Sequence, residues 1–256
     1  GLETLEQGDS FNVIEFNSGS HSLFPQAEVV NSQSLAHAKR FVKRLNAEGG
    51  TEMMSAMKLA LKAKPAVNGE ANKIRQVIFL TDGAISNEAQ LFAYIESQIG
   101  DSRLFTVGIG SAPNSFFMKR AAAFGRGSYT FVANINEAKM QIQNLFSSIS
   151  QPLLSNINIK WPDDTLVEMW PKKIPDLFKG QPLWIKAKVS GEVSQPQLAS
   201  FNTVAITGRL SNQKWQTQVD ISKGAESAGV AKLWAREKIA GVMNDAHHGI
   251  LTPKVR

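Results

Sequence analysis

Over the first 150 positions, short apolar runs alternate with longer stretches whose apolar residues recur at helical spacing. FNVIEF (11–16) is a β-prone run closed by the turn signal NSGS. In SLAHAKRFVKRL (34–45), Leu35, Ala38, Phe41, Val42 and Leu45 share one helical face, and EGGT (48–51) ends the pattern. MMSAMKLALKA (53–63) resumes it through Met54, Met57 and Leu61, as far as the NG pair at 68–69. VIFL (77–80), led by Gln76, predicts a buried strand. A third helix is predicted over EAQLFAYIESQI (88–99), stopped by Gly100, and a strand over RLFTVGIG (103–110). A fourth helix follows over SFFMKRAAAF (115–124), ended by GRG, and a last strand over SYTFVA (128–133). NEAKMQIQNLFSSIS (136–150) predicts a fifth helix with Asn136 as its N-cap.

Strands separated by helices of this length pair in parallel through right-handed crossovers. The near-continuous apolar strands suit a sheet covered on both faces. Residues 1–151 are therefore expected to form an α/β domain with a doubly wound, mostly parallel sheet. Pro152 opens a different pattern. NINIKW (156–161), TLVEMW (165–170), LWIKAKV (183–189), TVAITGRL (203–210) and WQTQVDI (215–221) alternate in polarity and are separated by Pro, Gly, Asn and Asp. That spacing predicts an antiparallel, β-sandwich-type domain over 152–224. A helix over GVAKLWAREKIAGVM (229–243), with Val230, Leu233, Trp234 and Ile239 as apolar contacts, is expected in the remaining segment, 225–256.

Composition narrows the classes. With 43% of 256 residues hydrophobic there is ample material for a core. No apolar run approaches the roughly 18 residues that a membrane span needs. The opening GLETLEQGDS has neither a basic nor an apolar leader region, so it is not a signal peptide. The net charge of +6 lies mostly in residues 151–256, but it is spread thinly, which favours a solvated surface over a nucleic-acid patch. The absence of cysteine removes disulfides, thiolate metal sites and thiol catalysis together.

The candidate chemistry starts at Asp82. It follows Leu80 and Thr81 at the carboxyl end of an apolar strand, where open α/β sheets place their ligands. An Asx turn before the next helix is an equal reading of the same residue. Thr51 of EGGT stands in the same topological position, before the helix that begins near Glu52. It reads as an N-cap or as an oxygen donor. A Thr hydroxyl and an Asp carboxylate at one sheet edge suit a hard cation such as Mg²⁺, although two oxygens are too few for a tight site. Several enzyme classes do not fit. The chain has no P-loop and no G-x-S-x-G elbow. GIGSAP (108–113) lacks a third glycine in place and reads as tight strand-to-loop packing. Phosphotransfer through Asp82 would need further carboxylates beside it, and none adjoins. His247 and His248 are adjacent, do not face one way on a helix, and read as surface residues.

Four stretches carry a family resemblance: GDSFNVIEFNS (8–18), FVKRLNAEGGTEMMSAMKLAL (41–61), RQVIFLTDGAISNE (75–88) and LFTVGIGSAPNSFFMKRAA (104–122). Together they resemble the von Willebrand factor type A domain, in the form found in inter-alpha-trypsin inhibitor heavy chains and their bacterial relatives. PLLSNINIKWP (152–162) and LWAREKIAGVM (233–243) look like segments that follow the A domain there. The resemblance implies a metal-ion-dependent adhesion site, built from D-x-S-x-S after the first strand, a Thr from a second loop and an Asp from a third. By motif, Thr51 is the second element and Asp82 the third, with Thr81 and Gly83 shaping the loop. The implied function is non-enzymatic binding, in which Mg²⁺ or Mn²⁺ accepts a carboxylate from a protein or extracellular-matrix ligand. The implied location is the cell surface, the periplasm or the exterior. A scaffold or stalk with a vestigial site is the alternative, and a Mg²⁺-dependent enzyme using Asp82 ranks below both.

D-x-S-x-S itself is absent, and NSGS (17–20) lacks the Asp and reads as a hairpin turn. The resemblance implies a chain truncated just past that motif, lacking the family's first strand. With its D-x-S-x-S ligands gone, Thr51 and Asp82 are expected to hold metal weakly if at all. The sheet is expected to close up, to recruit another chain through the gap, or to be poorly stable.

Overall fold

The computed structural model describes residues 1–46, 49–62, 74–82, 87–110, 113–150, 154–162, 166–178, 182–190, 202–210, 213–225 and 227–246. The chain divides into two units, Gly1–Ser150 and Gln151–Arg256.

The first unit opens with a one-turn 3-10 helix, Leu2–Thr4, then β1 (Ser10–Phe11) and β2 (Ile14–Phe16). The predicted run 11–16 is therefore two strands, and Asn12 explains the break. Its Nδ2 donates to Ser22 Oγ at 2.9 Å and to the Phe24 carbonyl at 2.8 Å. Its Oδ1 accepts from the amides of Val13 and Phe24. This side chain competes with the strand ladder for backbone partners. β1 then pairs with β4 (Glu28–Val29), while β2 pairs with β3 (Ser20–Ser22) across the NSGS turn. The hairpin reading of that turn holds.

Helix α1 spans Ser32–Lys43. It starts two residues before the predicted position because Asn31 caps it: Oδ1 accepts from the amides of Gln33 and Ser34, and Ser34 Oγ accepts in return from the Asn31 amide. Ala38 is fully buried and Leu35 packs on the cluster around Phe11 and Val30. Val42, in the last turn of the helix, and Leu45, beyond its end at Lys43, are exposed and stand outside that cluster. Helix α2 (Met53–Lys62) buries Met53, Ala56, Met57 and Leu61.

Three parallel strands form the main sheet in the order β5 (Gln76–Thr81), β6 (Arg103–Ile109), β7 (Tyr129–Val132). Helix α3 (Glu88–Gln98) lies between β5 and β6 in sequence, α4 (Ser115–Phe124) between β6 and β7, and α5 (Ile135–Ile149) follows β7. Successive positions Arg103–Gly108 of β6 are all buried, as a strand covered on both faces requires. Leu104 joins the core made by Met57, Phe79, Phe92, Ile95 and Phe117, and Thr106 Oγ1 donates to the Met118 carbonyl at 2.8 Å. The α4 boundaries match the periodicity. The α5 cap does not: Asn134 rather than Asn136 is the N-cap, and its side chain accepts from the Asn136 amide at 2.9 Å.

The strand β5 differs from β6. Among the described residues it pairs only with β6, and its other edge meets no described strand. Its burial is correspondingly lower, and Leu80 is 37% exposed. The β2–β3 hairpin approaches through side chains instead, with Phe16 stacked on Phe79 at 5.2 Å between ring centroids.

The second unit holds the five predicted strands, all antiparallel. β8 (Ser155–Lys160), β11 (Thr203–Leu210) and β12 (Gln213–Asp220) form one sheet; β9 (Val167–Trp170) and β10 (Lys186–Val189) form another. The C-terminal helix, here α6 (Val230–Ala246), packs on β9 and β10. Of its predicted apolar contacts, only Trp234 turns to the sheet, where Nε1–H donates to the Glu168 carbonyl at 3.2 Å. Val230, Leu233 and Ile239 are exposed.

Glu168 ties this helix down with its side chain too. Its carboxylate takes Lys238 Nζ at 2.8 Å and Trp170 Nε1–H at 3.3 Å. The Lys238 hydrogen bond, with Trp170 and the nearby lysine charges, holds the Glu168 carboxyl below its ordinary value of 4.5. A depressed folded-state pKa stabilises the fold above the unfolded value and loses that contribution as the pH falls through the folded value. The fluorescence of Trp170 and Trp234 is therefore expected to change on acidification below about pH 4.5. Glu168→Gln should remove that step. A wild-type step that survives in Glu168→Gln would assign it elsewhere. The effect on stability is small, because the pair is partly solvated.

Candidate metal site at the carboxyl edge of the sheet

Parallel pairing puts the carboxyl ends of β5, β6 and β7 along one edge. Asp82 leaves that edge immediately after β5. Thr81 is buried and Asp82 is exposed. Among the described residues the Asp82 carboxylate has no hydrogen-bond partner. Residues 83–86, including Gly83 and the amides that an Asx turn would use, lie outside the described residues.

Thr51 is held from another direction, by the β2–β3 turn. The β2–β3 turn grips the segment before α2: the Gly50 amide donates to Ser18 Oγ at 2.9 Å, and the Glu52 amide to the Asn17 carbonyl at 2.7 Å. Asn17 directly follows Phe16, which stacks on Phe79, three residues before Asp82. One aromatic contact thus sets the end of the hairpin beside the end of β5. Thr51 is exposed, and no side-chain cap from it to the first turn of α2 is present among the described residues. The N-cap reading of Thr51 is not what the structure shows.

Around this edge stand residues that the motifs did not single out. Asn114 caps α4 by accepting from the Phe117 amide at 3.0 Å, and its Nδ2 donates to Glu88 Oε1 in the first turn of α3. The GIGSAP segment shows the packing role predicted for it. A methyl group on Gly108 would meet Pro113 at 2.8 Å and the Tyr129 hydroxyl at 3.0 Å. His247 and His248 lie outside the described residues.

The donor set is a neutral hydroxyl and a carboxylate, both exposed. It suits a hard divalent cation, but provides roughly a third of an octahedral oxygen shell. Among the described residues no group of three His, Cys, Asp or Glu side chains supplies the rest.

A parallel sheet flanked by helices, with polar loops gathered at its carboxyl edge, is the architecture of an α/β ligand-binding domain. The chain belongs to the von Willebrand factor type A domain family, whose sequence profile matches residues 1–131. Domains of this family mediate protein interactions. A von Willebrand factor A domain-containing protein of Dictyostelium discoideum is 28% identical over 230 residues, covering 88% of this chain and 24% of that protein. The von Willebrand factor A domain-containing protein 5A of Rattus norvegicus is 25% identical over 224 residues, covering 86% of this chain and 26% of that protein. The chain thus spans about a quarter of the length of the curated relatives it matches. Among solved structures, the von Willebrand factor type A protein of Catenulispora acidiphila superposes with a TM-score of 0.63 at 20% identity, covering 86% of this chain and 58% of that one. That likeness shows the fold. No helix among the described residues is long and apolar enough to cross a membrane.

Proposed function

We propose that this chain is the greater part of a metal-dependent adhesion module. The reading is supported by the exposed hydroxyl of Thr51, on a loop gripped by the β2–β3 turn, and the exposed carboxylate of Asp82, directly after the strand whose Phe79 stacks on Phe16 of that hairpin. Mg²⁺ or Mn²⁺, once bound, would offer an open coordination position to a carboxylate of a protein or matrix partner. The remaining oxygens of the family's site would have to come from a D-x-S-x-S motif, which these 256 residues do not contain. The parent protein is of the inter-alpha-trypsin inhibitor heavy chain-like branch, bacterial, and works at the cell surface, in the periplasm or outside the cell. It is not an enzyme, and nucleic acid is not its partner. In the absence of the additional segment, the open edge of β5 promotes self-association.

Titration with Mn²⁺, followed by water-proton relaxation or calorimetry, tests the site. This chain should show no site tighter than about 1 mM, the affinity of the weakest hard-cation sites. A longer natural chain carrying D-x-S-x-S should bind at least tenfold tighter, and Asp82→Ala or Thr51→Ala should abolish the gain. A longer chain that gains nothing would reject adhesion and leave the scaffold reading. A micromolar site in this chain would overturn the split-site account.

A further inference from the structure

The loop that carries Thr51 has no helix or strand of its own to fix it. Its order comes from the turn between β2 and β3. The Asn17 Oδ1 accepts from the Gly19 amide at 3.1 Å, and the Asn17 amide donates to the Gly19 carbonyl at 2.8 Å, which closes the turn on itself. Ser18 then projects from its tip. Its Oγ accepts the Gly50 amide at 2.9 Å, and the next carbonyl back, that of Asn17, accepts the Glu52 amide at 2.7 Å. The two bonds bracket Thr51 on either side. The approach is close: a methyl group on Gly49 would sit 2.5 Å from Ser18 Oγ, and Gly49 has a φ of +87°. The glycine pair before Thr51 therefore serves two needs, a left-handed backbone and room for a serine hydroxyl.

We infer that Ser18 is a positioning residue: it holds the 49–52 loop, and so aims the Thr51 hydroxyl toward the cation. This rests on the reading of Thr51 as a metal ligand. Ser18 acts through the Gly50 amide and is not itself a ligand. It lies on an exposed turn, outside the hydrophobic core, so Ser18→Ala is expected to fold as the wild type does.

Two readouts test the inference. In the 256-residue chain without metal, amide hydrogen exchange at Gly50 should accelerate about fivefold in Ser18→Ala, the effect of one net hydrogen bond. Ser18→Thr, which keeps the hydroxyl, should restore protection. Gly49→Ala should mimic Ser18→Ala although Ser18 is present, because the added methyl displaces the loop. In the longer chain carrying D-x-S-x-S, Ser18→Ala should weaken Mn²⁺ binding about fivefold at unchanged melting temperature. Unchanged Gly50 exchange in Ser18→Ala would overturn the clamp. If Thr51→Ala abolishes Mn²⁺ binding while Ser18→Ala leaves it untouched, the positioning role alone falls. If Thr51→Ala has no effect on Mn²⁺, the ligand reading falls first, and the aim that Ser18 is said to give falls with it.

Discussion

Replacing Gly127 by alanine should unfold the first unit at a temperature lower by about 6–12 °C, the shift that a loss of about 3 kcal/mol produces in a unit of this size. The reason is a backbone collision. A methyl group at Gly127 would lie 2.1 Å from the Leu104 carbonyl oxygen and 2.7 Å from its carbon. Leu104 is fully buried in β6, the middle strand, and cannot retreat. The loop must therefore move away from the strand. Doing so strains two bonds that seat it, from the Leu104 amide to the Gly125 carbonyl and from the Thr106 amide to the Ser128 carbonyl, both at 3.1 Å. Overpacking in a site with no give costs about 1–3 kcal/mol or more, and strained backbone bonds add to that. Thermal unfolding followed by circular dichroism measures it. Arg126, at a φ of +53° between the two glycines, supplies the control. Arg126→Gly adds no atoms and should change the melting temperature by a few degrees at most. A Gly127→Ala protein that melts with the wild type would show that the loop yields, and that the GRG segment merely stops α4.

GRG illustrates what was legible in the chain and what was not. Its role as a helix stop can be read from sequence, because glycine after a periodic segment is a local signal. Its contact with Leu104 cannot, because it depends on a partner 23 positions away that only the folded sheet brings close. The same division runs through the unit. The periodicity marks α4 from Ser115 to Phe124, since helical spacing is set by the segment itself. The start of α1 and the cap of α5 each lie two residues before the predicted position, because several polar side chains stand near each terminus and geometry chooses among them. Asn12 looks like an ordinary strand residue, and only its bonds to Ser22 and Phe24 show that it ends β1. Thr51 and Asp82 can be put forward as ligands from sequence because their motifs are local. The role of Ser18 cannot, since the turn that contains it reads as a turn whether or not its hydroxyl holds another loop.

The edge of β5 carries the second large effect, and one substitution tests it with opposite signs in two contexts. QVIFLT contains no charge and no proline, the devices that ordinarily blunt an open edge. In the 256-residue chain this edge meets no described strand, and Leu80 is 37% exposed. Such a strand is a template for pairing with a second copy. Sedimentation velocity across the micromolar range should show a mass that rises with concentration. Leu80→Lys should return the chain to monomer at little cost in stability, because its ammonium stays in water. In a longer chain whose additional strand pairs with β5, the same position is enclosed. There Leu80→Lys buries an unpaired charge and should destabilise the domain by about 3 kcal/mol or more. The wild-type longer chain should remain monomeric. If the short chain stays monomeric at all concentrations, the hairpin led by Phe16 already shields the edge and the gap is closed from within. If Leu80→Lys is equally harmless in both chains, no additional strand lies beside β5 in the longer chain.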